Sequence, residues 1–265
     1  MERALELNKR AVKKFKRRKI IVSSVDHTWA IDIADMNAIL DWNSHRYIFV
    51  IIDIFSRFVW AVPMKTKDAE ESLKAFTSVT GNMYMPERIW CDQGGEFVNK
   101  IWNVFLKEHN IIRYHTYGEH KASIVERVTR TLKEMMYLQF TAKNNYNWDK
   151  TVLKNVVLKY NNRLHKSIGM TPVEARKDDN YQLVFDKMTE AKAKIKKPLF
   201  KVGDRVRISI TKLKFEKGHT FKWSTEVFNV SRVNLGHPNT YNVKDDKGEA
   251  LRGSFYEQEL QLSKV

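Results

Sequence analysis

The spacing of apolar residues divides the chain into a central region of mixed strands and helices and a final region of short strands. Residues 46–64 read as a hairpin that turns near Asp53, and residues 28–33 form a strand before it. Further strands are predicted at 88–91 and 111–115, and helices at 68–81, 98–108, 122–141 and 148–163. This order indicates an α/β domain over residues 25–180, with a mixed sheet and flanking helices.

The end of the chain has the character of a small all-β domain. Residues 181–197 are rich in Ala and Lys and read as a linker, either helical or flexible. From residue 198 to residue 265, short β-rich segments alternate with Gly, Asn and Asp turns. A segment of about 65 residues with this pattern fits a small barrel of the SH3 or chromo-domain kind.

Positive charge is concentrated at the two ends of the chain, whose formal net charge is +16. Residues 1–19 carry nine Lys or Arg against two acids, and residues 181–265 carry 17 against 10, whereas residues 20–180 carry 21 against 19. A basic arm over residues 1–24 and a basic last domain would suit a polyanion, because cationic surfaces gain affinity by releasing its counterions. Membrane surfaces and acidic proteins attract such ends too.

The sequence argues against several other classes of protein. Cys91 is the single cysteine, which excludes an intramolecular disulfide and any zinc site within this chain that needs two cysteines. The longest apolar run, from Tyr47 to Ile52, is far too short to span a bilayer, and the basic first residues lack the apolar core of a secretion signal. We therefore expect a soluble protein that does not bind a membrane.

Three acids carry the candidate chemistry. Asp32 lies inside a predicted strand between Ile31 and Ile33, Asp92 closes another strand, and Glu126 lies on the polar face of a helix. If these elements converge, the acids form a dense negative site that hard divalent cations would relieve, because Mg²⁺ prefers oxygen ligands. Each acid taken alone is equally compatible with a surface or capping role.

The segments around these acids resemble a known family. WAIDIADM at 29–36, CDQGGEF at 91–97 and KASIVERVTRTLK at 121–133 resemble, in order, the three motifs of the DDE integrase core of retroviruses and their transposon relatives. YNNRLHKSIGMTP at 160–172 resembles the segment that follows this core in retrotransposons and in Maverick or Polinton elements. The tail, with WSTEVFNV at 223–230, TYNV at 240–243 and GSFYEQEL at 253–260, looks closest to the Maverick/Polinton integrases.

This resemblance implies an RNase H-like core in which Asp32, Asp92 and Glu126 are catalytic and bind two Mg²⁺ or Mn²⁺ ions. The implied reaction has two stages: water attacks a phosphodiester near each element end, and the freed 3′-hydroxyl then attacks target DNA. The implied partners are double-stranded DNA and further copies of the chain, as a dimer or tetramer. The implied location is the nucleus, or the compartment that holds the element DNA.

Five basic residues are candidates for contacts with DNA. Arg130 and Lys133 share the helix face of Glu126, and the resemblance implies that they grip phosphates of the donor DNA end; a solvated face with i,i+4 pairs is the alternative. Lys121 precedes the same helix. In the β-rich tail, Lys222 and Arg232 stand among aromatic residues that we expect to form mostly the barrel core.

Asp35 and Asp53 are two further acids in the predicted core domain. We expect Asp35 to lie near the site without binding metal, and Asp53 to belong to the hairpin turn.

Two alternative functions are a domesticated, non-catalytic DNA- or chromatin-binding protein and a plain nuclease. Loss of one of the three acids would have indicated the first, and all three are present. The segment after the core and the β-rich tail argue against the second.

The chain departs from the family pattern in two ways. Only 33 residues separate Asp92 from Glu126, slightly fewer than is usual for the retroviral enzymes, and the loop 117–121 is the expected place of the shortening. The His and Cys pairs of the N-terminal zinc module are also missing, so this module either lies upstream or is dispensable for assembly.

Overall fold

The fold comes from a computed structural model that describes residues 1–12, 15–81, 85–115, 123–149, 151–189, 196–210 and 221–264. The chain forms two compact units, of which one is Ile21–Glu190 and the other combines Met1–Ile20 with Ala191–Val265. Among the described residues, none of the helices is long and apolar enough to cross a membrane.

These units divide the chain differently from the expected boundaries. The core unit extends through a helix beyond residue 180 because Val184 and Met188 are buried in it. The first residues, expected to form a basic arm, fold with the β-rich tail because Leu7 and Glu6 are buried there.

The core unit is built on one mixed five-stranded sheet. Its strands are β1 (Thr28–Asp35), β2 (Tyr47–Asp53), β3 (Val59–Met64), β4 (Arg88–Cys91) and β5 (Ile112–His115). Their order across the sheet is β3-β2-β1-β4-β5. The β1–β2–β3 meander is antiparallel, and β4 and β5 add to it in parallel.

Helices flank this sheet. A short helix, α1 (Glu2–Asn8), belongs to the other unit, and the core contains α2 (Ala69–Thr80), α3 (Lys100–Glu108), α4 (Ser123–Lys143), α5 (Val152–Asn161), α6 (Pro172–Ala175) and α7 (Tyr181–Thr189). Polar side chains fix where several of them begin: the Asp68 carboxylate accepts from Glu71 N–H, and Thr171 and Glu174 form a capping box.

The two faces of the sheet bury different helices. Trp29 of β1 packs with Phe76 of α2 and Trp102 of α3 on one face. Since successive residues of a strand point to opposite faces, Asp32 lies on the other face, where Val125 and Leu132 of α4 are buried. The sheet thus presents Asp32 to α4.

The end of the hairpin is fixed by buried acids. Asp53, which is fully buried, accepts hydrogen bonds from the backbone and hydroxyl of Ser56 and from Asp26 N–H, as expected of a turn residue. Arg176, just after α6, donates two hydrogen bonds of 2.9 and 2.8 Å to the Asp26 carboxylate and lies over the Trp60 ring. The segment after α6 is therefore fastened to the residues just before β1.

Removing this arginine is expected to weaken the core. We predict that Arg176→Met lowers the free energy of unfolding by about 2 kcal/mol, somewhat less than for a fully buried pair, because Asp26 keeps part of its solvation. Urea unfolding of the full chain measures it. Lys177→Met is the matched control, since Lys177 is exposed; equal effects of the two changes would contradict the prediction.

The second unit contains an antiparallel five-stranded sheet. Its strands are β6 (Arg205–Ile208), β7 (Phe228–Asn234), β8 (Thr240–Lys244), β9 (Phe255–Tyr256) and β10 (Leu260–Leu262), in the order β10-β6-β7-β8-β9. Its core is formed by Phe200, Val206, Phe228, Val230, Tyr241, Val243 and Leu260. We call this unit, with its N-terminal segment, the β-domain.

Candidate active site

Asp32 lies within β1, and Asp92 directly follows β4, the parallel neighbour of β1. β1 and β4 run parallel with Ala30 opposite Trp90. Asp32 and Asp92 each follow two residues later along their chains, and the charge of Asp92 acts on Asp32. The parallel pairing of β1 with β4 is thus the feature that creates an acidic edge.

Asp32 is held in an environment that disfavours its charge. Burial raises the pKa of Asp32 above its ordinary range, and the neighbouring charge of Asp92 raises it further. Hydrogen bonds from Ile33 N–H at 2.9 Å and from the Thr129 hydroxyl at 3.2 Å act in the opposite direction. A bound cation would relieve the repulsion between the two acids.

Asp92 is oriented by the turn that follows β4. Its Oδ1 accepts a hydrogen bond of 3.0 Å from Gly94 N–H. Phe97 N–H then donates to the Gly94 carbonyl at 3.0 Å, which closes the turn before α3 begins. The backbone of this turn therefore helps to hold the Asp92 carboxylate just after β4.

Glu126 faces Asp32 across an open cleft of about 450 Å³. The cleft is lined by Asp32, Glu126, Thr129, Arg130, Lys133, Glu134 and Tyr137. Lys133 Nζ donates to the Asp35 carbonyl at 2.6 Å, and Arg130 pairs loosely with Glu134 at 4.0 Å. One face of α4 thus brings an acid and two cations to the acidic edge.

The acids are near one another without forming a closed metal cage. Within the part of the chain that the structure describes, no three His, Cys, Asp or Glu side chains stand close enough together to hold a metal ion. The donor set nevertheless fits a hard divalent cation, because it consists of carboxylate oxygens, which Mg²⁺ and Mn²⁺ prefer. Glu126 is exposed in the first turn of α4 and lines the same cleft as Asp32.

The remaining predicted residues lie elsewhere or outside the described residues. Lys222 and Arg232 belong to the β-domain, where Arg232 is exposed on β7. Lys121 and the loop 117–121 fall among the residues that the structure does not describe. Burial raises the pKa of Cys91 to about 12, as befits a strand residue in the core rather than a reactive thiol.

Sequence reasoning missed three residues at this edge. Thr129, which donates to Asp32, lies three positions after Glu126 on the same helix face, and this spacing was a usable signal. Lys67 and Glu96 form an ion pair of 2.8 Å beside the acids. Lys67 lies in a turn before α2 and Glu96 in a turn after β4. Their separation along the sequence does not predict that their side chains make contact.

Comparisons with known proteins bear on this site. Residues 22–117 match the family model described as Integrase core domain. An uncharacterized transposon-derived protein of Caenorhabditis elegans is 33% identical over 183 residues, which are 69% of this chain and 61% of that protein. The Gag-Pol polyprotein of avian reticuloendotheliosis virus is 29% identical over 109 residues, 40% of this chain and 9% of the polyprotein. The chain thus spans less than two thirds of each relative.

The fold is also found among solved structures. A chain of the simian T-cell lymphotropic virus intasome, solved in complex with the PP2A regulatory subunit B56 gamma, superimposes with a TM-score of 0.68 at 15% identity, covering 99% of this chain and 87% of that chain. The family match includes both Asp32 and Asp92. Residues 22–117 are therefore similar to integrase core domains of the retroviral and transposon type, and the chain shares its fold with the intasome chain.

Proposed function

We propose that this protein is a DNA integrase that processes the 3′ ends of an element's DNA and joins them to target DNA. The observation that carries the proposal is the acidic edge of Asp32 and Asp92, faced by Glu126 across one cleft. The integrase core match supports the same reaction class. The tail motifs at 223–230, 240–243 and 253–260 support a Maverick or Polinton element as its source, and a small SH3-like barrel for the β-domain.

The three acids are the proposed ligands of two Mg²⁺ or Mn²⁺ ions. When bound, two such ions activate the attacking oxygen and stabilise the leaving oxygen of a phosphoryl transfer. Backbone N–H groups hold both strand-side carboxylates: Ile33 N–H donates to Asp32, and Gly94 N–H donates to Asp92. Glu126 completes the set from α4, and Thr129 keeps the Asp32 carboxylate oriented.

The basic residues of the cleft are proposed to position the DNA. Arg130 and Lys133 stand on the α4 face that carries Glu126, so phosphates approaching the acids would meet two cations. Lys121, just before this helix, and Lys222 and Arg232 of the β-domain are proposed to add backbone contacts. These residues bind the DNA strand and hold the reacting phosphate next to the three acids. This positioning lowers the activation barrier of the phosphoryl transfer.

The proposed assembly is a multimer of this chain on paired DNA ends, in the nucleus. The likeness of the fold to a chain from a viral intasome supports a multimeric complex. The strong positive charge of the β-domain segments supports double-stranded DNA as the partner.

A strand-transfer assay tests the proposal. The full chain is incubated with Mg²⁺ or Mn²⁺, a labelled duplex of the element's terminal sequence and a target plasmid. We expect shortened 3′ ends and joined products with the wild type, and neither with Asp92→Asn, which keeps the size of the side chain but removes its charge. Products that persist with Asp92→Asn would overturn the proposed active site.

A second candidate is a non-catalytic DNA- or chromatin-binding protein derived from an integrase. The observation in its favour is that the described residues contain no closed three-acid group. The same assay separates the two, since this candidate predicts DNA binding with neither product from the wild type.

A further inference from the structure

An ion pair lies close to Asp32 and Asp92, and neither of these acids belongs to it. Lys67, in the turn before α2, places its Nζ 2.8 Å from Oε1 of Glu96, in the turn after β4. The Glu96 side chain is 11% exposed, whereas that of Lys67 is 45% exposed. The pair therefore presents its cation to solvent and keeps its anion inside.

The turn after β4 brings Glu96 and Asp92 to the same glycine. Gly94 N–H donates to Asp92, and a Cβ at Gly94 would overlap the carboxylate of Glu96. The absence of a side chain at Gly94 is thus what lets Glu96 fold back toward the catalytic turn. The ion pair consequently belongs to the immediate surroundings of Asp92.

Electrostatics place the Lys67 ammonium within reach of both strand acids. The hydrogen bond with Glu96 raises the pKa of Lys67, and the charges of Asp92 and Asp32 raise it further. In turn, Lys67 acts to lower the pKa of Asp32. The ammonium is therefore charged at neutral pH, and its charge acts on the Asp32 carboxylate.

The two turns are fastened without this pair. The Ser72 hydroxyl donates to the Glu96 carbonyl at 3.1 Å, which ties α2 to the turn after β4. The Glu71 carboxylate accepts from Lys65 and Thr66 N–H, which fixes the turn before α2. A purely structural role for the Lys67–Glu96 pair is therefore redundant.

We propose that Lys67 binds a backbone phosphate of the DNA strand held at Asp32 and Asp92, and that Glu96 is a positioning residue that aims Lys67 at this strand. The inference rests on the proposed function and deepens it. The Lys67 ammonium has three donor hydrogens, so it can bind a phosphate oxygen while it keeps its hydrogen bond to Glu96. A cation is also needed where a polyanion approaches an acidic edge, because like charges would otherwise repel it.

The test measures how DNA binding depends on salt. Wild type, Lys67→Met, Lys67→Arg, Glu96→Gln and the control Lys74→Met, whose lysine is exposed on α2, are titrated with a fluorescent duplex in the presence of Ca²⁺. Each phosphate contact contributes about 0.9 to the slope of log Kd against log salt. We expect Lys67→Met to reduce the slope by about that amount, Lys67→Arg to restore it, and Lys74→Met to leave it unchanged.

A kinetic measurement separates positioning from binding. In steady-state strand transfer, Glu96→Gln is expected to lower kcat several-fold while the salt slope of DNA binding stays that of the wild type, because Lys67 remains available but is no longer aimed. An unchanged slope in Lys67→Met, or unchanged kcat in Glu96→Gln, would overturn the inference alone. A wild type that does not bind DNA would overturn the proposed function and this inference with it.

Discussion

Replacing Glu126 by Gln is expected to lower the rate of strand transfer by about 1,000-fold or more. A metal ion in such a site stabilises transition-state charge by several kcal/mol, and each 1.4 kcal/mol changes a rate tenfold. Glutamine keeps the length of the side chain but offers a neutral oxygen, which binds a hard cation more weakly than a carboxylate does. Single-turnover strand transfer in Mg²⁺, at saturating DNA, measures the effect.

The cleft itself supplies the matched control. Glu134 lies on α4 and lines the same cleft as Glu126, so Glu134→Gln removes an equal charge from the same place. We expect it to change the rate only a few-fold, through its loose pairing with Arg130. If both substitutions had the same effect, the charge of the cleft would matter and Glu126 would have no special role.

This comparison also addresses the geometry of the acids. The described residues contain no three-acid group ready for metal, although Asp32 lies within β1 and Asp92 directly follows its parallel neighbour β4. If Glu126 is a ligand, Mn²⁺ binding measured by calorimetry weakens in Glu126→Gln and not in Glu134→Gln. Such a result would mean that the third carboxylate joins the other two when metal binds.

The fold of the core could be read from the sequence because its elements carry strong local signals. The hairpin around Asp53 and the strand before Asp92 were predicted nearly residue by residue, since short apolar runs bounded by turn residues define them. On α4 the buried residues Val125, Val128, Leu132 and Met136 follow one another at steps of three and four, as one face of a helix requires.

What the sequence did not reveal is pairing across long distances. Nothing in the basic segment at the start of the chain indicates that Glu6 would be buried against Arg207, some two hundred positions away. The same holds for Lys67 with Glu96, whose turns come together only when α2 packs on the sheet. Charge counts predict where a polyanion can bind, but they do not show which charges are already neutralised within the fold.

The pairing of Glu6 with Arg207 is the centre of a buried network in the β-domain. Arg207 Nε donates to the Glu6 carboxylate at 3.0 Å, and its Nη1 donates to the carbonyls of Ser224 and Thr225. Burial acts to raise the pKa of Glu6, but hydrogen bonds from Lys264 N–H and Arg207 outweigh it and hold the pKa below its ordinary 4.5. The stabilisation is therefore present at neutral pH and is lost as pH falls below about 4.5 toward that lowered value.

Glu6→Ala is accordingly expected to destabilise the β-domain by about 3 kcal/mol, because it leaves the nearly inaccessible Arg207 without its counter-charge. Hydrogen exchange of the full chain, followed in peptides that cover β6 and β10, localises the loss. The expected exchange is about 100-fold faster, since each 1.4 kcal/mol is a factor of ten. Exchange in core peptides should not change, as Glu6 belongs to the β-domain alone.

The matched control is Glu2→Ala, which removes the same charge from an exposed position of the same helix. If both variants exchanged equally fast, the net charge of the first helix would be the cause, and the Glu6–Arg207 pair would contribute nothing of its own. If only Glu6→Ala exchanges faster, the N-terminal segment is a structural part of the β-domain. Its basic residues then approach DNA from the surface of a folded domain instead of from a free arm, which restricts the phosphates that they can reach.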